Sequence, residues 1–180
     1  MAARTTPRWP LAWPIDAAAT EPGHPRAVVL DTNIVLDLLV FADTAVPPLR
    51  ALLAQGQLRW IATRPMRDEL ERVLAYPQIA PRVAYYGLTA EAVLACYDAQ
   101  VEWVDVAPRV SAVCKDADDQ RFIDLAAAHR AVLLSKDKAV LCMRKRLLAL
   151  QVHAATAIVI SAEPSPSKAP AAAAAVAEAA

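Results

Sequence analysis

Two short apolar runs that each end at an aspartate constrain the fold of this chain more than any other feature. The first run, AVVLD, ends at Asp31, and the second, AVLLSKD, ends at Asp137. Continuous runs of this length, rich in valine and leucine, are typical of strands buried on both faces of a parallel sheet. Ligands bind just beyond the carboxyl ends of such strands. The two runs therefore place two distant carboxylates where an open α/β sheet carries its functional site.

The central part of the chain alternates between strand patterns and helix patterns. Strands are predicted at 27–30, 58–62, 101–106, 131–135 and 157–160, and helices at 34–41, 48–54, 65–75, 89–100, 118–129 and 138–150. Gly56 marks a helix end, Pro65 a helix start, and Thr89 an N-cap. This alternation predicts an α/β fold with three α/β/α layers and a mostly parallel central sheet of four to five strands.

Composition divides the chain into three parts. Residues 1–25 contain five of the 14 prolines and predict an irregular arm. Residues 26–161 have the length and the pattern of one domain. Residues 162–180 consist mainly of alanine, proline and serine without an apolar stripe, and they predict a disordered or weakly helical tail.

Charge and hydropathy exclude several functional classes. The 19 basic and 19 acidic side chains give a formal net charge of zero, so no general basic surface for nucleic acid is expected. No stretch approaches the ~20 apolar residues that span a bilayer, and residues 1–25 lack the apolar core of a secretory signal. The three cysteines form no CxxC pair, which indicates reduced thiols. We therefore expect a cytoplasmic protein that does not bind a membrane.

Helix periodicity adds two further acids to the two at the strand ends. Glu69 lies at the edge of the apolar stripe of helix 65–75, and Asp119 falls in the middle of the buried face that includes Phe122 and Ile123. A carboxylate there is costly unless it is paired, hydrogen-bonded or bound to a metal. No basic residue recurs on these faces as a counter-charge. All-oxygen donor sets suit Mg²⁺ or Mn²⁺, so a divalent cation is expected.

A simpler interpretation of these aspartates stays open. An aspartate between a strand and a helix often serves only as an N-cap, and this holds for Asp31 and for Asp137. Asp116 and Asp118 lie off the buried face and are expected to cap a helix or to face solvent. The argument for a common site is that four acids from four segments converge at one end of the predicted sheet.

Three segments, in this order, resemble the PIN domain family. They are VVLDTNIVLDLLV at 28–40, RPMRDELERVL at 64–74 and CKDADDQRFIDLAAAHRAVLLSKD at 114–137. The resemblance covers about residues 26–160 and is strongest for the VapC-like branch, the toxins of toxin–antitoxin systems. It implies a PIN-like α/β/α fold and a metal-dependent ribonuclease.

The resemblance also implies a role for each matching residue. Asp31, Glu69, Asp119 and Asp137 would form the catalytic acidic quartet. Asp31, Asp119 and Asp137 would bind Mg²⁺ or Mn²⁺, and Asp118 stays open as a further ligand. The supporting polar residues around them would be Thr32, Asn33 and Ser135, with serine where threonine is common.

An RNA substrate must approach an acidic site, so flanking cations are expected. The candidate phosphate contacts are Arg64, Arg67, Lys136, Lys138, Arg144, Lys145 and Arg146. The cluster at 144–146 is equally typical of a solvated helix face.

The expected function is an endoribonuclease toxin of a type II toxin–antitoxin pair, which cleaves RNA phosphodiesters with a metal-activated water. An antitoxin protein would be its partner and would lie near Ile34, Leu38 and Leu39. The resemblance also allows a homodimer. A housekeeping RNA-processing nuclease and a catalytically silent nucleic-acid-binding module remain alternatives.

Overall fold

The two apolar runs form neighbouring strands at the centre of a parallel sheet. The computed structural model describes residues 8–15 and 24–161. In chain order its strands are β1 (Pro10–Trp13), β2 (Arg26–Leu30), β3 (Leu58–Ala62), β4 (Glu102–Trp103), β5 (Val132–Leu134), β6 (His153–Ala155) and β7 (Ala157–Ile160). Five of them form one sheet in the order β4-β3-β2-β5-β6, in which every pair is parallel. The predicted parallel central sheet is confirmed.

Helices connect these strands and cover the sheet. They are α1 (Thr32–Leu36), a π-helical turn (Asp37–Phe41), α2 (Pro47–Ala54), α3 (Arg64–Leu74), α4 (Ala80–Tyr85), α5 (Ala90–Gln100), α6 (Gln120–Ala128), α7 (Lys138–Leu141) and α8 (Arg144–Leu148). Val28 and Val29 point to opposite faces of β2, and both have no exposed surface. Both faces of the sheet are therefore covered, which gives the three predicted layers.

The register of β2 and β5 sets the position of the acidic residues. Val28 pairs with Val132 and Leu30 with Leu134, so the two strands end side by side. The backbone N–H of Asp31 continues this ladder by donating to the Leu134 carbonyl oxygen at 2.9 Å. Residues that follow the two strands therefore meet at the carboxyl edge of the sheet.

Several elements differ from the prediction. The helix predicted at 34–41 begins at Thr32 and becomes a π-helical turn from Asp37. The strand predicted at 101–106 spans only Glu102–Trp103, because Asp105 and Val106 turn out to solvent. The helix predicted at 138–150 is divided into α7 and α8, and this break brings Leu141 into the core together with Val140, Met143 and Leu147. Helix α4 and strand β6 were not predicted, because both are too short to show a clear hydrophobic period.

The prediction of an irregular arm over residues 1–25 is wrong for Pro10–Trp13. This segment forms β1, which pairs in parallel with β7 in a separate two-stranded sheet. The backbone of Thr156 donates to the Trp9 carbonyl oxygen at 2.9 Å. Trp13 is only 9% exposed, and its indole N–H donates to Gln57 Oε1 at 2.9 Å. Burial of this indole accounts for order in a proline-rich segment.

Other predictions concern the whole chain. The predicted tail over 162–180 lies outside the described residues, and the boundaries of the domain stay a prediction. All three cysteines are free. Among the helices of the described part, none has the length and apolar character required to cross a membrane.

Candidate active site

Asp31 is held at the end of β2 by side chains from two segments. Ser135, directly after β5, donates its hydroxyl to Asp31 Oδ2 at 2.5 Å, and Asn33 Nδ2 donates to the same oxygen at 2.9 Å. Asp31 is only 4% exposed. Burial raises its pKa, while the hydrogen bonds from Ser135, the Thr32 backbone and Asn33 act in the opposite direction. Although Asp31 occupies the N-cap position of α1, its side chain makes no capping hydrogen bond. A simple cap therefore does not explain this residue.

Asp137 is connected to Asp31 by hydrogen bonds through Ser135. The Ser135 hydroxyl accepts a hydrogen bond from the Asp137 backbone N–H at 2.9 Å. Asp137 Oδ1 in turn accepts from the Ala139 backbone N–H at 2.6 Å, which makes Asp137 the N-cap of α7. The N-cap role thus accounts for only one of the two oxygens of the Asp137 carboxylate.

Glu69 reaches the same edge from α3. Its Oε1 accepts the Thr32 hydroxyl at 2.8 Å, and its Oε2 lies 3.3 Å from Arg121 Nη1. Burial raises the pKa of Glu69, whereas Thr32 and Arg121 lower it. The expectation that no basic residue faces the acids is therefore wrong for Glu69. Arg121 was missed because it lies beside the apolar face of α6 and not on it. Its position two residues after Asp119 was the sequence feature that could have indicated a role near the acids.

Asp119 is the acid with the most perturbed ionisation. It precedes α6, and its Oδ2 is buried without a hydrogen-bond partner among the described residues. Burial raises the pKa of Asp119 to about 7, with further contributions from the charges of Asp31, Asp137, Asp116 and Glu69. Mutual repulsion of this kind is expected of clustered carboxylates without a cation.

Asp118 and Asp116 lie outside this cluster. The Asp118 side chain is 81% exposed, and its Oδ1 lies 3.5 Å from Arg121 Nη2. Asp116 is also exposed, and its Oδ1 accepts the backbone N–H of Asp118 at 2.9 Å. The structure thus separates Asp118 from the buried acids by exposure.

The carboxylate oxygens of the cluster are the type of donor that hard divalent cations prefer. Within residues 8–15 and 24–161, no three histidine, cysteine, aspartate or glutamate side chains stand close enough together to hold an ion as they are. Yet the Asp119 oxygen without a partner and the raised pKa of this residue mark a local excess of negative charge. A cation bound among Asp31, Asp119 and Asp137 would offset that charge.

The family model of the PIN domain matches residues 27–139, which is more than half of the chain. The chain belongs to the PIN domain family. Among solved structures, this PIN domain is similar to a chain of the crystal structure of VapBC2 from Rickettsia felis bound to a DNA fragment from their promoter. The TM-score is 0.51 at 14% identity, over 72% of this chain and 98% of that chain, which supports a shared fold. No curated protein matches this chain.

Four of the seven candidate phosphate contacts are already engaged within the PIN domain. The Arg64 guanidinium lies 3.9 Å from the centre of the Trp103 ring. Arg67 pairs with Asp98 at 2.9 Å and with Glu71 at 3.2 Å. In the same way, Arg144 lies over the Trp9 ring, and Lys136 forms the ion pairs described next. The other three, Lys138, Lys145 and Arg146, are exposed, as are Arg64 and Lys136.

Lys136 is held by two acids that the sequence did not single out. Its Nζ lies 2.5 Å from Asp37 Oδ2 and 3.3 Å from Asp43 Oδ2. Asp37 is 8% exposed, and burial raises its pKa, while Lys136 and, more weakly, Arg82 lower it. The sequence feature that could have revealed the ion pair of Lys136 with Asp37 is the position of Asp37 inside an apolar run, where a charge requires a partner.

Two of the three side chains predicted to lie near a bound antitoxin are buried. Ile34 and Leu38 are 3% and 4% exposed and belong to the core, and only Leu39 is partly exposed. Leu38 and Leu39 nevertheless line an open pocket together with Arg50, Cys96 and Gln100, and the position of an antitoxin near these residues stays a prediction.

Proposed function

We propose that this PIN domain is a metal-dependent endoribonuclease that hydrolyses RNA phosphodiesters with Mg²⁺ or Mn²⁺. The observation that carries the proposal is the convergence of Asp31, Glu69, Asp119 and Asp137 at the carboxyl edge of β2 and β5. Their charges act on one another, and two buried oxygens among them, Glu69 Oε2 and Asp119 Oδ2, accept no hydrogen bond from the described residues. Such a cluster is suited to a cation and to phosphodiester chemistry.

The metal would be held by Asp31, Asp119 and Asp137. When bound, a divalent ion lowers the pKa of a coordinated water and neutralises charge on the phosphate. Ser135 and Asn33 fix Asp31 Oδ2, so the direction of this carboxylate is set before the substrate arrives.

Glu69 would position the attacking water and accept its proton. Thr32 orients Oε1 and Arg121 faces Oε2, so both oxygens of this carboxylate have a defined place. Burial raises the pKa of Glu69 toward the range in which a carboxylate is an effective proton acceptor.

Cleavage of a mixed RNA pool by the purified protein tests this proposal. We expect cleavage with Mg²⁺ or Mn²⁺ and none with EDTA. Asp31→Asn should abolish cleavage without loss of fold, which circular dichroism checks. Asp118→Asn is the matched control, since it makes the same change at an acid that is 81% exposed. Cleavage by Asp31→Asn at the wild-type rate would contradict the mechanism.

We also propose that the protein is the toxin of a toxin–antitoxin pair, acts in the cytoplasm and has an antitoxin protein as its partner. Membership of the PIN family and the fold shared with a chain of the VapBC2 complex support this role. Induced expression should arrest growth, and Asp31→Asn should relieve the arrest. Cleavage of RNA in vitro without any growth arrest would instead indicate an RNA-processing nuclease.

A further inference from the structure

Two arginines lie over the ring of Trp9, in an N-terminal segment to which sequence patterns assign no role. The guanidinium carbon of Arg8 lies 4.7 Å from the centre of the indole ring, and that of Arg144 lies 4.9 Å from it. Arg8 and Trp9 precede β1, whereas Arg144 begins α8, so the two cations come from distant segments. Arg8 is exposed, and the other two residues are partly exposed. We refer to these three residues as the Trp9 cluster.

The Trp9 cluster lies in the most basic part of the domain. Residues 8–15 and 138–161 together contain five arginine and lysine side chains and no aspartate or glutamate. Among the described residues, neither Arg8 nor Arg144 forms an ion pair with a carboxylate, whereas Arg121 and Lys136 beside the acids both do. Because the whole chain has a net charge of zero, this is a local excess of positive charge, and it favours an anionic partner.

Stacking on a ring leaves an arginine able to bind an anion. A guanidinium that lies over a ring uses its flat face, while its N–H donors lie in its own plane and match the oxygens of a phosphate group. Within the described part of the chain, Arg144 donates one hydrogen bond, from Nη1 to the Leu141 carbonyl oxygen at 3.3 Å. The Trp9 ring therefore orients two guanidiniums whose remaining donors can bind phosphate oxygens.

Hydrogen bonds connect the Trp9 cluster to the carboxyl edge of the sheet. Ser135, which holds Asp31, donates its backbone N–H to the Ala155 carbonyl oxygen at 3.0 Å. The next residue, Thr156, donates its backbone N–H to the Trp9 carbonyl oxygen at 2.9 Å. Each bond spans about one strand-to-strand distance, which places the backbone of Trp9 roughly 10 Å from that of Ser135. A nucleic acid strand covers this distance with about three nucleotides, at a rise of ~3.4 Å each.

We propose that Arg8 and Arg144 bind a phosphate group of the RNA strand a few nucleotides away from the phosphodiester that is cut. Trp9 holds the two arginines in position, so the N-terminal segment is a substrate-binding element of this PIN domain. This inference rests on the proposed ribonuclease function, because it adds an anchoring site for the same substrate. It differs from a purely structural role, in which the ring and the arginines only attach β1 to α8.

Binding without cleavage gives the direct test. Full-length Asp31→Asn protein is titrated into a fluorescent RNA of about 12 nucleotides at several salt concentrations. Adding Arg8→Gln and Arg144→Gln should weaken binding about 25-fold at about 0.1 M salt, since each phosphate contact contributes about 5-fold there. The slope of log affinity against log salt should become shallower by about 1.4, or ~0.7 for each contact.

Two further pairs of substitutions serve as controls. Arg8→Lys with Arg144→Lys keeps both charges and should retain the wild-type salt slope. Arg72→Gln with Arg109→Gln removes the same charge from two exposed arginines outside the Trp9 cluster and should leave the slope unchanged. Thermal unfolding of each protein checks that the fold is retained.

The fluorescence of Trp9 gives an independent readout at the same place. RNA should change the tryptophan emission of the Asp31→Asn protein, and most of this change should vanish with Trp9→Phe, because Trp13 and Trp60 are buried. Trp9→Phe should bind RNA within about 5-fold of its parent, since a phenylalanine ring retains part of the attraction to the arginines.

Three results would overturn the inference. They are no RNA binding by the Asp31→Asn protein, an unchanged RNA affinity and salt slope in the doubly substituted glutamine form, and an equal emission change in Trp9→Phe. A lower Tm of the glutamine form with unchanged RNA affinity would assign the Trp9 cluster a structural role alone. Failure of the ribonuclease proposal is distinguishable, because wild-type protein would then cut no RNA while the two arginines still supported RNA binding.

Discussion

The hydroxyl of Ser135 bonds to the carboxylate of Asp31 across 104 positions of sequence. The hydroxyl oxygen of Ser135 also accepts a hydrogen bond from the backbone N–H of Asp137, so one fully buried hydroxyl connects two acids of the site. Adjacent parallel strands make this possible, because they deliver both residues to the same edge of the sheet. The position of the acids relative to one another therefore depends on a small side chain between them.

Ser135→Ala should lower Mg²⁺ affinity and RNA cleavage about 10- to 100-fold, the usual loss when a residue that orients a metal ligand is removed. Ser135→Thr should retain most of both, since it keeps the hydroxyl. Mg²⁺ titration followed by thermal shift, together with cleavage rates, provides the measurement. Wild-type Mg²⁺ affinity in the alanine variant would show that the serine does not orient Asp31.

Asp119→Asn should abolish cleavage yet stabilise the metal-free protein by about 1 kcal/mol, or ~2–4 °C in Tm for a chain of this size. The variant removes a charge that burial and the neighbouring acids both disfavour. Thermal unfolding in EDTA is the measurement, and Asp118→Asn is the matched control with no expected gain. A lower Tm for Asp119→Asn would contradict the repulsion inferred here.

The stability gain of Asp119→Asn should depend on pH. The folded-state pKa of Asp119 is about 7, against 3.8 for an ordinary aspartate, so the folded protein binds the proton more tightly than the unfolded chain. Wild type thus recovers stability as the pH falls below 7. The advantage of the variant should be full above pH 7 and shrink toward pH 4. Denaturant unfolding of both proteins at matched pH values would measure this, and an advantage that grows as the pH falls would refute it.

Arg121→Gln should move the acidic limb of the pH–rate profile to higher pH. Arg121 faces Glu69 Oε2 at 3.3 Å and lowers the pKa of this carboxyl, so its loss raises that pKa. Arg121→Lys should restore part of the wild-type profile because it restores the charge. The profile of kcat against pH is the readout. If all three proteins share one profile, Arg121 has no electrostatic effect on the reaction.

Lys136→Met should destabilise the fold by about 1–3 kcal/mol, because it leaves the buried carboxylate of Asp37 without its partner. Lys138→Met, which alters an exposed lysine two positions away, should change stability by less than about 0.5 kcal/mol. Chemical denaturation compares the two. Unchanged stability of Lys136→Met with weaker RNA binding would instead make Lys136 a phosphate contact.

The sequence predicts the parallel sheet and points to the four acids and to Thr32, Asn33 and Ser135 beside them. It does not point to the ion pairs made by Arg121 and Asp37. Asp31 and Asp137 end apolar runs, and helix phase points to Glu69 and Asp119, so local patterns predict which acids approach the core. Arg121 and Asp37 form ion pairs with side chains from distant segments. Such contacts leave no periodic pattern in the sequence.

Strand β1 escaped prediction for a related reason. PLAW is too short and too rich in proline to favour a strand by itself, and its conformation depends on β7, far along the chain. Only the tertiary structure supplies that partner, which is why local propensity indicated an irregular segment.

The pairing of β1 with β7 also has a consequence for synthesis. Trp9 and Thr156, which bond beside these strands, are 147 positions apart. Among the described strands, β1 emerges from the ribosome first, and it can pair only after β7, which emerges last. The nascent domain therefore closes this seam only when translation of residues 157–160 is complete, and a prematurely terminated copy leaves the edge of β1 open to proteases and chaperones.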